Sequence, residues 1–430
     1  MLAWRQLNDL EETVTYDVII RDGLWFDGTG NAPLTRTLGI RDGVVATVAA
    51  GALDETGCPE VVDAAGKWVV PGFIDVHTHY DAEVLLDPGL RESVRHGVTT
   101  VLLGNCSLST VYANSEDAAD LFSRVEAVPR EFVLGALRDN QTWSTPAEYI
   151  EAIDALPLGP NVSSLLGHSD LRTAVLGLDR ATDDTVRPTE AELAKMAKLL
   201  DEALEAGMLG MSGMDAAIDK LDGDRFRSRA LPRGLHPLDA FLDVLVDNGE
   251  RNVRWTTIVA NHRPNQLNKL AAEPSVHMGF SDAGAHLRNM AFYNFGLRLL
   301  KRARDADRAG QPFLSIERAV YRLTGELAEW FGIGAGTLRQ GDRADFAVID
   351  PTHLDESVDG YHEEAVPYYG GLRRMVNRND ATVVATGVGG TVVFRGGQFG
   401  GQFRDGYGQN VKSGRYLRAG ELGAALSRSA

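Results

Sequence analysis

The chain has 430 residues, too many for one small domain and enough for a barrel with a satellite domain. Its 60 Asp and Glu outnumber 43 Lys and Arg to a net charge of −17, which argues against a basic nucleic-acid footprint. Two cysteines, Cys58 and Cys106, make no disulfide framework, and no run approaches the roughly 18–20 apolar residues of a membrane span. A cytoplasmic protein without nucleic-acid or membrane partners is expected, and Met1 to Glu12, with its mixed charges, is not read as a secretory leader.

Short strands and tight turns come first. Tyr16 to Arg21 reads as a strand, Asp22-Gly23 as a turn and Leu24 to Phe26 as a second strand. Thr37 to Ile40 and Val44 to Val48 flank Arg41-Asp42-Gly43, a hairpin signal. Strands then alternate with helical stretches, the pattern of a parallel α/β fold. Strands are expected at Phe73 to His79, Val98 to Asn105, Val162 to His168, Met208 to Ser212, Val253 to Asn261 and Val276 to Asp282. Helices are expected at Glu190 to Ala206, opened by the capping box Thr189-Glu190-Ala191-Glu192, at Leu238 to Val246 and at Ile316 to Phe331. Towards the C-terminus the β texture returns at Phe346 to Ile349, and Val383 to Val388 and Thr391 to Phe394 flank Gly389-Gly390. The expected organisation is a small β-sandwich domain built from residues 14–70 and 335–400, a TIM-like barrel over 71–334 and a loosely ordered tail over 401–430.

Chemistry-bearing residues fall at the ends of these strands. His77 and His79 share one face of a strand, where two imidazoles can hold a Zn²⁺ at roughly 2.0–2.1 Å each. The alternative is an exposed pair in a turn; the Pro71-Gly72 break and apolar Phe73, Ile74 and Val76 favour the ligand pair. Cys106 ends the second strand, as a thiolate ligand or as an inert buried thiol. His168 ends the third, as a ligand, a contact to a substrate carboxylate with Arg172 nearby, or a structural histidine. Asp282 ends the last, as a metal ligand and proton acceptor or as a helix N-cap. His262 is a weaker candidate. All these positions fall where a (β/α)₈ barrel places its active site.

With these residues in place, the chain resembles the amidohydrolase superfamily, and within it the N-acyl-D-amino-acid deacylase-like branch. The matching segments are PGFIDVHTHYD at 71–81, GVTTVLLGNCS at 97–107, GH at 167–168, EALEAGMLGMS at 202–212, SDAGAH at 281–286 and GDRADFAVID at 341–350. The likeness covers most of residues 16–395. It implies a zinc-dependent hydrolase of C–N bonds other than peptide bonds, acting on a small amide such as an N-acyl amino acid. His77, His79, Cys106 and Asp282 would hold the metal, Asp282 would also be the general base, and His168 would face the substrate. A cyclic-amide hydrolase and a catalytically impaired binding or scaffold relative are the alternatives.

One departure stands out. Between the fourth strand and the helix at Leu238 lie only about 25 residues, Gly213 to Pro237, where the resemblance calls for two more strand–helix units. A single βαβ unit takes roughly 30 residues or more. Six barrel strands are legible rather than eight, which implies an internal deletion. His236 is the one histidine of that gap, in a turn.

Overall fold

The computed structural model describes residues 15–126, 128–183, 185–213, 246, 263–287, 292–400 and 411–421. The chain divides into two compact units, residues 214–276 and the remainder. Within residues 214–276 the described structure is the helix Pro264–Ala272 with its flanks and Val246. The strand expected at Val253 to Asn261, most of the helix expected at Leu238 to Val246, His236 and His262 lie outside the described residues.

In the larger unit the two ends of the chain share one nine-stranded sheet. Its N-terminal strands are β1 (Val18–Trp25), β2 (Leu34–Arg41), β3 (Val44–Ala49), β4 (Glu60–Asp63) and β5 (Trp68–Pro71). The middle of the chain supplies β6 (Phe73–Asp75), β7 (Val98–Leu103), β8 (Asn161–Ser164), β9 (Leu166–Gly167) and β10 (Met211–Ser212). The remaining strands are β11 (Phe346–Ile349), the hairpin β12 (Glu363–Val366) and β13 (Leu372–Met375), and β14 (Val383–Val388), β15 (Thr391–Arg395) and β16 (Gln398–Phe399). The large sheet runs β16-β15-β14-β11-β5-β1-β2-β3, with β4 also paired to β1. The antiparallel pairing of β5 with β11 joins its two halves, and Val18, Ile20, Leu38, Val69, Phe346 and Val348 pack in one core.

Both expected hairpins form. Asp42 and Gly43, and Gly389 and Gly390, have positive φ, the twist a two-residue hairpin loop requires. The turn expected at Asp22-Gly23 is instead a bulge within the continuous strand β1. A Cβ on Gly23 would lie 2.4 Å from Val69, so the chain bends there without leaving the sheet.

The strands of the middle are shorter than expected. β6, β7 and β8 form a parallel three-stranded sheet, and β9 pairs in parallel with β10. All six residues of β7 are buried, as in a parallel strand covered on both faces. The backbone leaves β6 at Asp75, before the two histidines, and His168 opens a helix, His168–Leu176, rather than ending a strand. Val276 to Asp282 forms no strand; one parallel bridge, Thr78 with Ala283, joins this segment to the end of β6. The helix Glu190–Ala206 carries the expected Thr189–Glu192 capping box. The helix expected from Ile316 to Phe331 breaks in two at Thr324, where a Cβ on Gly325 would meet the Gly28 carbonyl at 2.1 Å.

Of the tail expected over 401–430, residues 411–421 are described, and they are packed. Leu417 N–H donates to Val162 O at 2.8 Å, Val162 N–H donates to Arg415 O at 2.9 Å, and the Tyr416 and Ser164 hydroxyls bond. Leu417 is fully buried with Ile74, Leu102, Leu327 and Ile333. The backbone of β8 needs partners, and two apolar residues in a polar stretch supply the contact. Among the described residues no helix is long and apolar enough to cross a membrane.

Candidate metal centre

Three chain segments converge because their backbones are stitched where the strands end. Asp75, buried at the end of β6, accepts N–H bonds from His77 at 3.3 Å and Ser281 at 3.2 Å. Its burial pushes its carboxyl up to about 7. The Thr78 hydroxyl donates to Leu102 O at 2.7 Å, and Asn105 Nδ2 donates to Leu102 O at 2.9 Å and Thr78 O at 3.3 Å. Asp81 accepts the Gly104 N–H at 3.0 Å, which ties the segment after β6 to the turn after β7. On the other side His79 N–H donates to Ala283 O at 2.7 Å, and Asp282 N–H to His77 O at 3.1 Å.

Two motif glycines are explained by this closeness. A Cβ on Gly104 would lie 1.9 Å from the Leu165 carbonyl oxygen, and one on Gly284 would lie 2.5 Å from that of His79. The ligand-bearing turns are themselves strained, with positive φ at Cys106, Ser107, Asp282 and His286. Asp282 therefore sits in a left-handed turn, and the described residues after it, 283–287, form no helix for it to cap.

The side chains meet in a partly closed site. Cys106 Sγ lies 3.2 Å from His77 Nε2. Asp282 Oδ1 lies 3.6 Å from His77 Nε2 and 3.3 Å from His79 Nε2. Ligand atoms of His77, His79 and Cys106 all lie within 4.8 Å of one another. Tetrahedral zinc ligands stand about 3.3–3.8 Å apart, so the set needs little adjustment to hold one ion. The His79 side chain is 1% exposed and neither of its ring nitrogens makes a hydrogen bond. A buried imidazole without hydrogen bonds, beside a thiol and a carboxylate, is a donor set that fits a zinc ion. Phe280, on the exposed side, packs edge-on against His77 with ring centroids 4.8 Å apart.

Electrostatics divide these groups. Burial opposes a charge on His79, but Asp282, Cys106 and Glu126 outweigh it and push the imidazole up to about 10. Burial and the neighbouring His79 hold His77 well below the usual histidine value. Burial opposes ionisation of Asp282 as well, yet His79 outweighs it and holds the carboxyl below its ordinary value. Asp282 is thus ionised at neutral pH, as a base or ligand must be.

His168 is exposed at the start of its helix, and the neighbouring Ser169 N–H donates to Ser107 O at 2.8 Å, next to Cys106. Arg172 is turned to the backbone, donating to Ala181 O at 3.0 Å and Val186 O at 3.1 Å. Two residues enter that sequence reasoning left unassigned. Glu126, which ends the helix Ser115–Val125, lies 3.4 Å from His79 Nδ1, and burial pushes its carboxyl up to about 7. His286 Nε2 lies 3.5 Å from both Glu126 Oε2 and Asp282 Oδ2. The SDAGAH motif contains His286, whereas Glu126 carries no sequence signal beyond the end of a helix.

Comparison with known proteins gives three results. A model described as an amidohydrolase family matches residues 60–243. An uncharacterized protein of Mycobacterium tuberculosis is 70% identical over 611 positions, covering all of both chains. That alignment exceeds the chain's 430 residues by about 180 positions, and its identities amount to nearly every residue of the chain. An N-acyl-D-aspartate deacylase of Alcaligenes xylosoxydans xylosoxydans is 36% identical over 197 residues, 46% of this chain and 36% of the deacylase. Among solved structures, a D-aminoacylase studied for its binuclear metal centre superposes with a TM-score of 0.61 at 20% identity, covering 94% of this chain and 100% of that one. The N-acyl-D-glutamate deacylase of Bordetella bronchiseptica, complexed with zinc and a phosphonate inhibitor, gives 0.62 at 22% identity with the same coverage.

Proposed function

The chain belongs to the amidohydrolase superfamily, in its D-aminoacylase-like branch, and from that premise we propose that it is a zinc-dependent hydrolase of a small N-acyl amino acid or similar amide. The observation that carries this reading is the convergence of His77, His79, Cys106 and Asp282 on one partly closed point. Zinc held there would lower the pKa of a water towards about 7 and polarise the amide carbonyl. Asp282, already ionised, takes the proton of the attacking water and passes it to the departing amine. Phe280 packs edge-on against His77 at the exposed side of the site. His168, exposed beside the Ser107 turn, faces the substrate, and Arg172 orders the loop that follows its helix. The same reading makes residues 71–334 a TIM-like barrel and the terminal strands a β-sandwich.

A second reading has its own support. If the roughly 180 unmatched positions fall after Ser212, the chain lacks two strand–helix units and any ligands on them, and it is an impaired relative with a binding role. Elemental analysis of the purified chain, with hydrolysis assays on N-acyl-D-amino acids and cyclic amides, separates the readings. Near-stoichiometric zinc and turnover that Asp282→Asn abolishes are expected. A metal-free chain, or turnover indifferent to that substitution, would sink the hydrolase reading.

A further inference from the structure

We propose that Glu126 is a positioning residue for His79, holding the proton on Nδ1 so that Nε2 is left bare for the metal. This rests on the zinc reading above and adds a residue to it. Glu126 is placed firmly: its N–H donates to Phe122 O at 2.8 Å, and its carbonyl accepts the His286 N–H at 2.8 Å. Its side chain is 1% exposed, and neither carboxylate oxygen has a hydrogen-bond partner. A charged group in so dry a position is costly unless a partner compensates it.

Two imidazoles face it. Oε1 lies 3.4 Å from His79 Nδ1 and Oε2 lies 3.5 Å from His286 Nε2. The opposite nitrogen of His79, Nε2, points to Asp282 Oδ1 at 3.3 Å, on the side where Cys106 and His77 converge. The ring of His79 is therefore held between a carboxylate at one nitrogen and the ligand cluster at the other. An imidazole ligates through a bare nitrogen, and a carboxylate on its other N–H both sets the tautomer and makes the ligating nitrogen more basic. His286 contacts Glu126 and Asp282 together, so it keeps the two carboxylates in register across His79.

The test is the zinc affinity of the full chain, measured by competition with a chromophoric chelator, for the unaltered protein and for Glu126→Gln. Loss of such an outer carboxylate weakens metal binding by about 10–100-fold, and that loss is expected here. Cobalt substitution adds a spectroscopic readout: the visible bands should shift in Glu126→Gln as the His79 bond weakens. In a His79→Ala background, Glu126→Gln should cost no further affinity. A variant that melts earlier yet binds zinc and cobalt like the unaltered chain would assign Glu126 a merely structural role and overturn the proposal. If Glu126→Gln does not fold, Glu126→Asp, with its shorter reach, carries the same test, and unchanged affinity again overturns it. An unaltered chain that binds no zinc removes the hydrolase reading and this one together, whereas zinc binding indifferent to Glu126 removes this one alone.

Discussion

The terminal sheet and the metal centre are built by opposite means. The sheet draws much of its pairing from hairpins whose turns are local, such as Asp42-Gly43 and Gly389-Gly390, while the β5–β11 pairing and the Val44–Arg343 bridge reach across the chain. The centre has almost no regular structure at its ligands: β6 stops at Asp75, and Cys106 and Asp282 sit in left-handed turns. Its geometry comes from side chains and carbonyls that stitch remote segments together, such as Asp75 to Ser281 and Asp81 to Gly104. Hairpins tolerate change because each turn carries its own conformational preference, whereas a stitched centre depends on contacts that no single segment specifies.

That contrast can be broken by experiment. The largest effect is expected from Asp282→Asn, which should lower turnover by about 10²–10⁴-fold through loss of the general base while leaving the fold in place, as an activity assay beside a circular dichroism spectrum would show. Removing the metal with a chelator should also abolish turnover, and zinc should restore it; activity that survives chelation would detach the centre from catalysis. Gly104→Ala should cost about 3 kcal/mol or more, because the new Cβ would lie 1.9 Å from the Leu165 carbonyl at positive φ; denaturant titration measures it. Leu417→Ala should cost about 2–5 kcal/mol if the C-terminal segment is part of the β6–β8 core, and a cost near zero would return that segment to the status of a loose tail. The smallest effect, about 1 kcal/mol, is expected from Thr189→Ala, which removes only a local cap on the helix Glu190–Ala206.

Legibility followed the same divide. His77, His79, Cys106 and Asp282 could be picked out because each lies at the end of an apolar run, in a motif whose glycines mark tight backbone approaches. Glu126 could not, since one acidic residue after a helix looks like any other solvated carboxylate until the fold buries it against His79. Arg172 looked available to a substrate, and the fold ties it to the carbonyls of Ala181 and Val186. Tyr416 and Leu417 lie in a Gly- and Arg-rich stretch, so their place beside β8 left no periodic signal.

The sequence by itself determined the candidate ligands His77, His79, Cys106 and Asp282, the two hairpins of the terminal sheet, the capped helix at Glu190 and the shortage of residues after Ser212. These are properties of local pattern and chain length, which need no knowledge of what lies nearby in space. Only the tertiary structure decided where the strands stop, which backbone groups close the centre, and that a carboxylate from the helix end at Glu126 stands behind His79. Burial and distance between remote segments set those features, and neither quantity exists until the chain has folded.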